Sequence, residues 1–265
     1  MIDINKAKEF YKKYISNYTP ENPRIALKIA HIYRTAEIAK FLAKSLKLSN
    51  EDILLAELIG LLHDIGRFEQ VKKYNTFLDK ESVNHAEYGV KVLFEDGLIR
   101  NFIEDNGYDE IIKKAILNHN RNKIDSDVTN EIEILHCKII RDADKLDIYN
   151  VILIDDVEVT YPFDRLKKEP ISKEVKEEFI KNNIVTYFNV KTCSDLLVGQ
   201  IAFVFDINYL YSLEKINNEN YLERIIEKFD AQDKNTIKEL KELKDIAEKY
   251  IQKKLKEGEI CLKNY

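Results

Sequence analysis

The chain has 265 residues, enough to bury a substantial core, and its 45% hydrophobic and 34% charged residues are ordinary for a soluble globular protein. Only 7 Gly and 4 Pro argue for long helices and against barrels or sandwiches with many tight turns, and a net charge of −5 argues against a long nucleic-acid partner. No apolar run approaches the ~20 residues of a bilayer span, the N-terminus lacks a signal pattern, and Cys137, Cys193 and Cys261 make no disulfide framework or short-range metal pair; the expected setting is cytoplasmic, away from membranes.

In chain order, Asn22-Pro23 is an N-cap followed by Pro at the first helical position. Ile25, Ile29, Ile32, Ala36, Ala39, Ala43 and Leu46 then recur at helical spacing to about Lys47. Ser49 with Asp52 resembles a capping box, opening a helix through Ile53, Ala56, Leu58, Leu61 and Leu62 that should stop near Gly66. Residues 67–83 are polar and aperiodic and read as a loop. Asn84 and Glu87 start a further helix to about Phe94, and Glu110–His119 and Thr129–Ile154 read as helices. Val157–Phe163 and Ile184–Val190 alternate in part, as short extended segments or irregular linkers do. Ser194-Asp195 caps a helix through Ile201, Val204, Phe205 and Tyr209 that contains the apolar core run Leu196–Phe205, and a final helix ends at Gly258.

The residues that carry chemistry are histidines and aspartates. His31, His63-Asp64, His85, His119 and Asp144 account for four of the five histidines in the chain. Imidazole with carboxylate suits iron, manganese, zinc or another divalent first-row ion. His31 shares a stripe with Thr35, Ile38 and Leu42, and His63 follows Ile59 and Ala56 on an apolar face, while Gly60 allows close approach of another backbone. Adjacent helical residues point about 100° apart, so His63 and Asp64 address one ion only near a helix end; alternatively Asp64 lies between two ions. Asp144 is the lone carboxylate of a stripe with Cys137, Ile140, Ile148 and Val151, whereas Asp142 lies with Lys138 and Lys145, so Asp144 is the better ligand. His136 stands outside the series and reads as structural.

This ligand order resembles the HD superfamily of metal-dependent phosphohydrolases. LLHDIGR is similar to its HDIG signature, and IIRDADKLD to the segment holding its last Asp. His85 in NHAEYG and His119 in ILNHN resemble the subset that holds two or more metals. The resemblance implies an all-α fold, an HD-domain helical bundle with additional C-terminal helices. Its metal-site core spans about 24–152, and 155–265 form an extension packed on it within a single domain, 1–265. It assigns His31, His63, Asp64 and Asp144 to one ion, and His85, His119 and a bridging Asp64 to a second. Iron or manganese fits best, with magnesium, zinc, nickel or cobalt as alternatives.

Arg67 stands where many relatives carry Lys, a position that contacts substrate phosphate in some of them, and a guanidinium can do so bidentately. The Gly-Tyr-Pro element of HD-GYP cyclic-dinucleotide phosphodiesterases is replaced here by NHNRNKID, which disfavours that activity. The implied activity is hydrolysis of a nucleotide or another small phosphoester or phosphoanhydride by a metal-activated water. Asp64 and Arg67 would be catalytic, and Arg67, Asn120, Arg121 and Lys145 would bind substrate. Glu37 and Asp147 are candidates to orient ligands or move protons. Two other readings share the ligand set: a di-iron oxygenase, and a metal-containing nucleotide-binding regulatory module.

Overall fold

The structure, a computed structural model, describes residues 2–18, 22–155 and 167–263. Among the described residues there are helices and turns and no strand, and no helix is long and apolar enough to cross a membrane. The all-α expectation therefore holds. Contacts divide the chain into two compact units, Met1–Asp147 and Ile148–Tyr265.

The first unit opens with α1 (Ile4–Ile15), whose N-cap Asp3 accepts from the Asn5 and Lys6 amides. Its buried stripe is only Ala7 and Tyr11, too sparse for periodicity to announce. Helix α2 (Pro23–Ser45) starts as expected, with the Asn22 side chain accepting from the Arg24 amide. Helix α3 (Asn50–Leu62) is capped by Ser49, which accepts from the Asp52 amide. At Gly60 an added Cβ would stand 2.6 Å from Ala36 Cα, so this glycine lets α3 lie directly on α2.

Helix α3 ends four residues before Gly66, which instead opens α4 (Gly66–Tyr74). Gly66 is a contact glycine: a Cβ there would collide with the His85 carbonyl and lie 2.5 Å from the Gly89 amide of α5 (His85–Val90). The first part of the expected 67–83 loop is thus helical. It lacks an apolar period because only Phe68 and Val71 are buried apolar residues, while the face carrying Arg67 and Gln70 is used for polar contacts. Asn75, at φ 53°, closes α4 in the left-handed conformation that Asn tolerates. Residues 75–84 then form an irregular strap with one 3-10 turn, Asp79–Glu81.

Asn84 caps α5 through the Ala86 and Glu87 amides, as expected, and the helix runs on as a π turn, Lys91–Glu95. Helices α6 (Asp109–Asn118) and α7 (Glu131–Ile154) match the sequence reading to within two residues. A continuous core of Ile32, Leu58, Leu62, Phe68, Phe102, Ile116 and Ile140 sits among these helices. Burial of so much aliphatic and aromatic surface fixes the helices that position the histidines.

The second unit holds α8 (Lys173–Asn182), α9 (Cys193–Ile201), α10 (Leu210–Asn218), α11 (Tyr221–Phe229) and α12 (Lys234–Lys263). The cap of α9 is Thr192 rather than Ser194, in a full capping box with Asp195. Helix α12 continues past Gly258 because that glycine accommodates Leu210, whose side chain a Cβ would strike. Within Ile184–Val190 the chain makes a 3-10 turn at Tyr187–Asn189 rather than an extended segment. Val157–Phe163 lies outside the described residues.

Candidate metal centre

All six predicted ligands lie in the first unit, each at a place the helices determine. His31 is in the middle of α2, His63 and Asp64 form the turn after α3, His85 begins α5, His119 follows α6, and Asp144 lies in α7. The turn after Leu62 resolves the geometric difficulty of adjacent ligands, because His63 and Asp64 leave the helix there. The four histidines and Asp64 are buried, at 0–4% exposure. The cluster opens to solvent where the Asp144, Lys28 and Arg67 side chains retain 15–16% exposure.

Asp64 stands between two pairs of imidazoles. Its Oδ2 lies 3.7 Å from His31 Nε2 and 3.5 Å from His63 Nε2. Its Oδ1 lies 3.3 Å from His85 Nε2 and 3.7 Å from His119 Nε2. Asp144 Oδ1 completes the first group, 3.2 Å from His31 Nε2 and 3.7 Å from His63 Nε2. Two donor groups able to hold an ion therefore share one carboxylate: His31, His63 and Asp64, and Asp64, His85 and His119.

Every one of the four imidazoles is held through Nδ1. His63 Nδ1 donates to the Gly60 carbonyl at 2.8 Å and His119 Nδ1 to the Ile116 carbonyl at 2.6 Å, which leaves the lone pair of each on Nε2. The other two are backed by carboxylates. His31 Nδ1 lies 2.7 Å from Asp147 Oδ2, and Asp147 Oδ1 accepts from Arg34 Nε at 2.7 Å. His85 Nδ1 lies 2.6 Å from Asp79 Oδ2, and Asp79 Oδ1 accepts from Arg67 Nη1 at 2.7 Å. Each donor group thus has one carbonyl-backed and one carboxylate–arginine-backed histidine.

Electrostatics and unmet polar atoms fit a bound cation. Burial alone would raise the Asp64 carboxyl, but Lys28, His63, His119 and His85 hold it well below the usual range. Burial likewise opposes ionisation of Asp144, and His31 and His63 outweigh it. Burial and then Arg67 bring His85 down to about 4, so its imidazole is neutral at pH 7, as a ligand must be. His31 Nε2, His63 Nε2 and Asp64 Oδ1 are buried without a hydrogen-bond partner, and His85 Nε2 faces His119 Nε2 at 3.0 Å. Arg67 Nη2 lies 3.4 Å from His85 Nε2, but two imidazole lone pairs facing each other at 3.0 Å, away from water, remain costly unless a cation lies among them. The donor set fits divalent metal.

The substrate-binding candidates divide. Arg67 is at the cluster, with Nε 3.6 Å from Asp64 Oδ1 and Nη1 donating to Gln70 Oε1, the Phe77 carbonyl and Asp79. Asn120 lies beside it, its amide 3.2 Å from Asn84 Oδ1 and 3.5 Å from His85 Nδ1. Arg121 is paired with Asp125. Lys145 is buried with its ammonium 3.4 Å from the Arg141 carbonyl, and Asp142, expected on a polar stripe, is fully buried as well. Glu37 is on the surface with Lys8, whereas Asp147 does orient His31. His136 lies against Asp52 outside the cluster.

Sequence reading missed Lys28, Asp79 and Arg34. Lys28 and Arg34 flank His31 at three residues on the same helix, a spacing that offered a signal. Asp79 sits in the aperiodic strap, where no pattern singles it out.

The family model of the HD domain matches residues 29–149. This segment is similar to the HD domain. The match falls within the 24–152 expected from the motifs and ends two residues after Asp147. The HD domain belongs to a superfamily of metal-dependent hydrolases, and the paired His/Asp groups described above are consistent with it. No curated protein and no solved structure matches the chain.

Proposed function

We propose that the chain is a metal-dependent phosphohydrolase that uses two divalent ions, iron or manganese by preference, to cleave a nucleotide or another small phosphoester or phosphoanhydride. The observation that carries this reading is the placement of Asp64, one oxygen toward each histidine pair. These residues would hold two divalent ions, and the chemistry so supplied would be an activated water and charge stabilisation for phosphoryl displacement.

The protein's own residues do the rest. His31, His63, Asp64, His85, His119 and Asp144 form the donor set, and their buried Nδ1 contacts keep it aimed without reorganisation. Arg67 cannot swing away, because three acceptors hold one nitrogen of its guanidinium. Its Nη2 lies 3.4 Å from His85 Nε2 and its buried Nε 3.6 Å from Asp64 Oδ1, so the guanidinium borders the donor set, where it is suited to orient an anionic phosphoryl oxygen. Asn120 offers an amide on the His85 side. The low exposure of the cluster limits competing water and strengthens each electrostatic contact.

The test is release of phosphate or nucleotide product from a panel of nucleotides and an aryl phosphate, in the presence of Mn²⁺ or Fe²⁺. Turnover should vanish with chelator and fall at least ~10³-fold in Asp64→Ala, which removes a ligand shared by both ions. Turnover that survives either treatment contradicts the proposal.

A further inference from the structure

Lys28 lies three residues before His31 on α2, with its ammonium 2.7 Å from Asp64 Oδ2. That oxygen is the one turned toward His31 Nε2 and His63 Nε2, and an ion bound by these imidazoles would have to take it. The two cations near Asp64 are not equivalent. Arg67 is anchored by Gln70, Phe77 and Asp79 and approaches Oδ1 only to 3.6 Å. Among the described residues Lys28 hydrogen-bonds Asp64 and rests on the face of Phe77, 5.8 Å from the ring centroid. The guanidinium of Arg67 lies 6.0 Å from the same centroid, so both cations border one aromatic ring at the solvent side of the cluster.

We propose that Lys28 is an exchangeable counter-cation of this site: it neutralises Asp64 before metal loading, is displaced by the ion, and then binds a phosphate oxygen of the substrate. The inference rests on the phosphohydrolase reading. An ammonium and a divalent ion cannot both sit on one carboxylate oxygen without strong repulsion, and only the ammonium has a long flexible stem on which to leave. It also contacts the Phe77 ring, which it shares with Arg67. Two cations there, one free to move and one fixed, match the several oxygens of a phosphoryl group better than a neutral ligand. Proton transfer is not required at any step: the ammonium only changes partner.

Calorimetric titration of the full-length, metal-free chain with Mn²⁺, followed by titration of the loaded chain with orthophosphate, tests both steps. Lys28→Met and Lys28→Gln should bind Mn²⁺ about tenfold more tightly than wild type, since the competitor is gone, and Lys28→Arg should stay close to wild type. Orthophosphate should bind the loaded neutral variants about tenfold more weakly. Circular dichroism establishes that each variant is folded, and Gln, which can still donate to Asp64, covers the case in which Met does not fold. Equal or weaker Mn²⁺ affinity in the folded neutral variants overturns the exchange, and unchanged orthophosphate affinity overturns the second step. A wild-type chain that binds no divalent ion would overturn the metal-site reading itself, and the inference with it.

Discussion

The two halves of the cluster use the same parts on different supports. In the His31/His63 half, the backing carboxylate Asp147 and its partner Arg34 both sit inside long helices, α7 and α2. In the His85/His119 half, the backing carboxylate Asp79 sits in the irregular 75–84 strap, and Arg67 reaches it from the short helix α4. Identical first contacts therefore have unequal rigidity behind them. Metal sites depend on the groups that orient their ligands, so the half built on the strap should be the weaker and the more easily lost.

The most severe way to break one half is at the helix contact beneath it. Gly66→Ala pushes a methyl group into the His85 carbonyl and the Gly89 amide, so α5 must move and carry His85 with it. We expect a destabilisation of about 3 kcal/mol and loss of one ion of two, read by thermal unfolding and metal analysis. Retention of both ions would mean that His85 is not tied to that contact. A finer cut exchanges the backing carboxylates. Asp147→Asn and Asp79→Asn should each weaken one ion by ~10–100-fold and leave the other nearly unchanged, with Asp79→Asn affecting the weaker of the two. Equal weakening of both ions in either variant would erase the distinction between the halves.

The smallest effect lies outside both halves and serves as their control. Glu57 is fully buried on α3 between Lys8 at 2.5 Å and Lys40 at 2.9 Å. Burial opposes its ionisation, but the two ammonium groups prevail and its pKa is lowered. A lowered folded-state value means the pair stabilises above the ordinary Glu range, near 4.5, and that this contribution is lost as pH falls through the depressed value. Glu57→Gln should cost about 1 kcal/mol at pH 7, because both lysines keep contact with solvent, and should leave metal stoichiometry unchanged. The difference in Tm from wild type should shrink as pH drops below about 4.5; a constant difference down to pH 3 would contradict the assignment.

The same contrast explains what the sequence disclosed. Ligands on long, well-capped helices were legible: His31 and Asp144 stood out as polar members of apolar stripes, and Ser49 and Asn84 announced helix starts at the residues where they occur. Legibility failed where tertiary contact replaces periodicity. Gly66 has the pattern of a helix stop but is a helix-crossing residue, and Gly258 likewise is a contact glycine and not a stop. Helix α4 was hidden because Arg67 and Gln70 serve the strap instead of the core. Asp79 could not be chosen from a polar segment without knowing that His85 folds back onto it. The stripe pattern puts Lys145 and Asp142 on a polar face, yet both are buried, because α7 is enclosed on more than one side.

The central claim is that Asp64 joins two metal positions of unequal strength. The most direct measurement is metal content by elemental analysis of full-length protein purified without oxygen, chelator or affinity metal, repeated after graded dialysis. The account predicts about two iron or manganese ions per chain, falling stepwise to one, with Asp79→Asn starting at one. A single ion per chain that Asp79→Asn does not alter, or no ion after reconstitution with either metal, would contradict it.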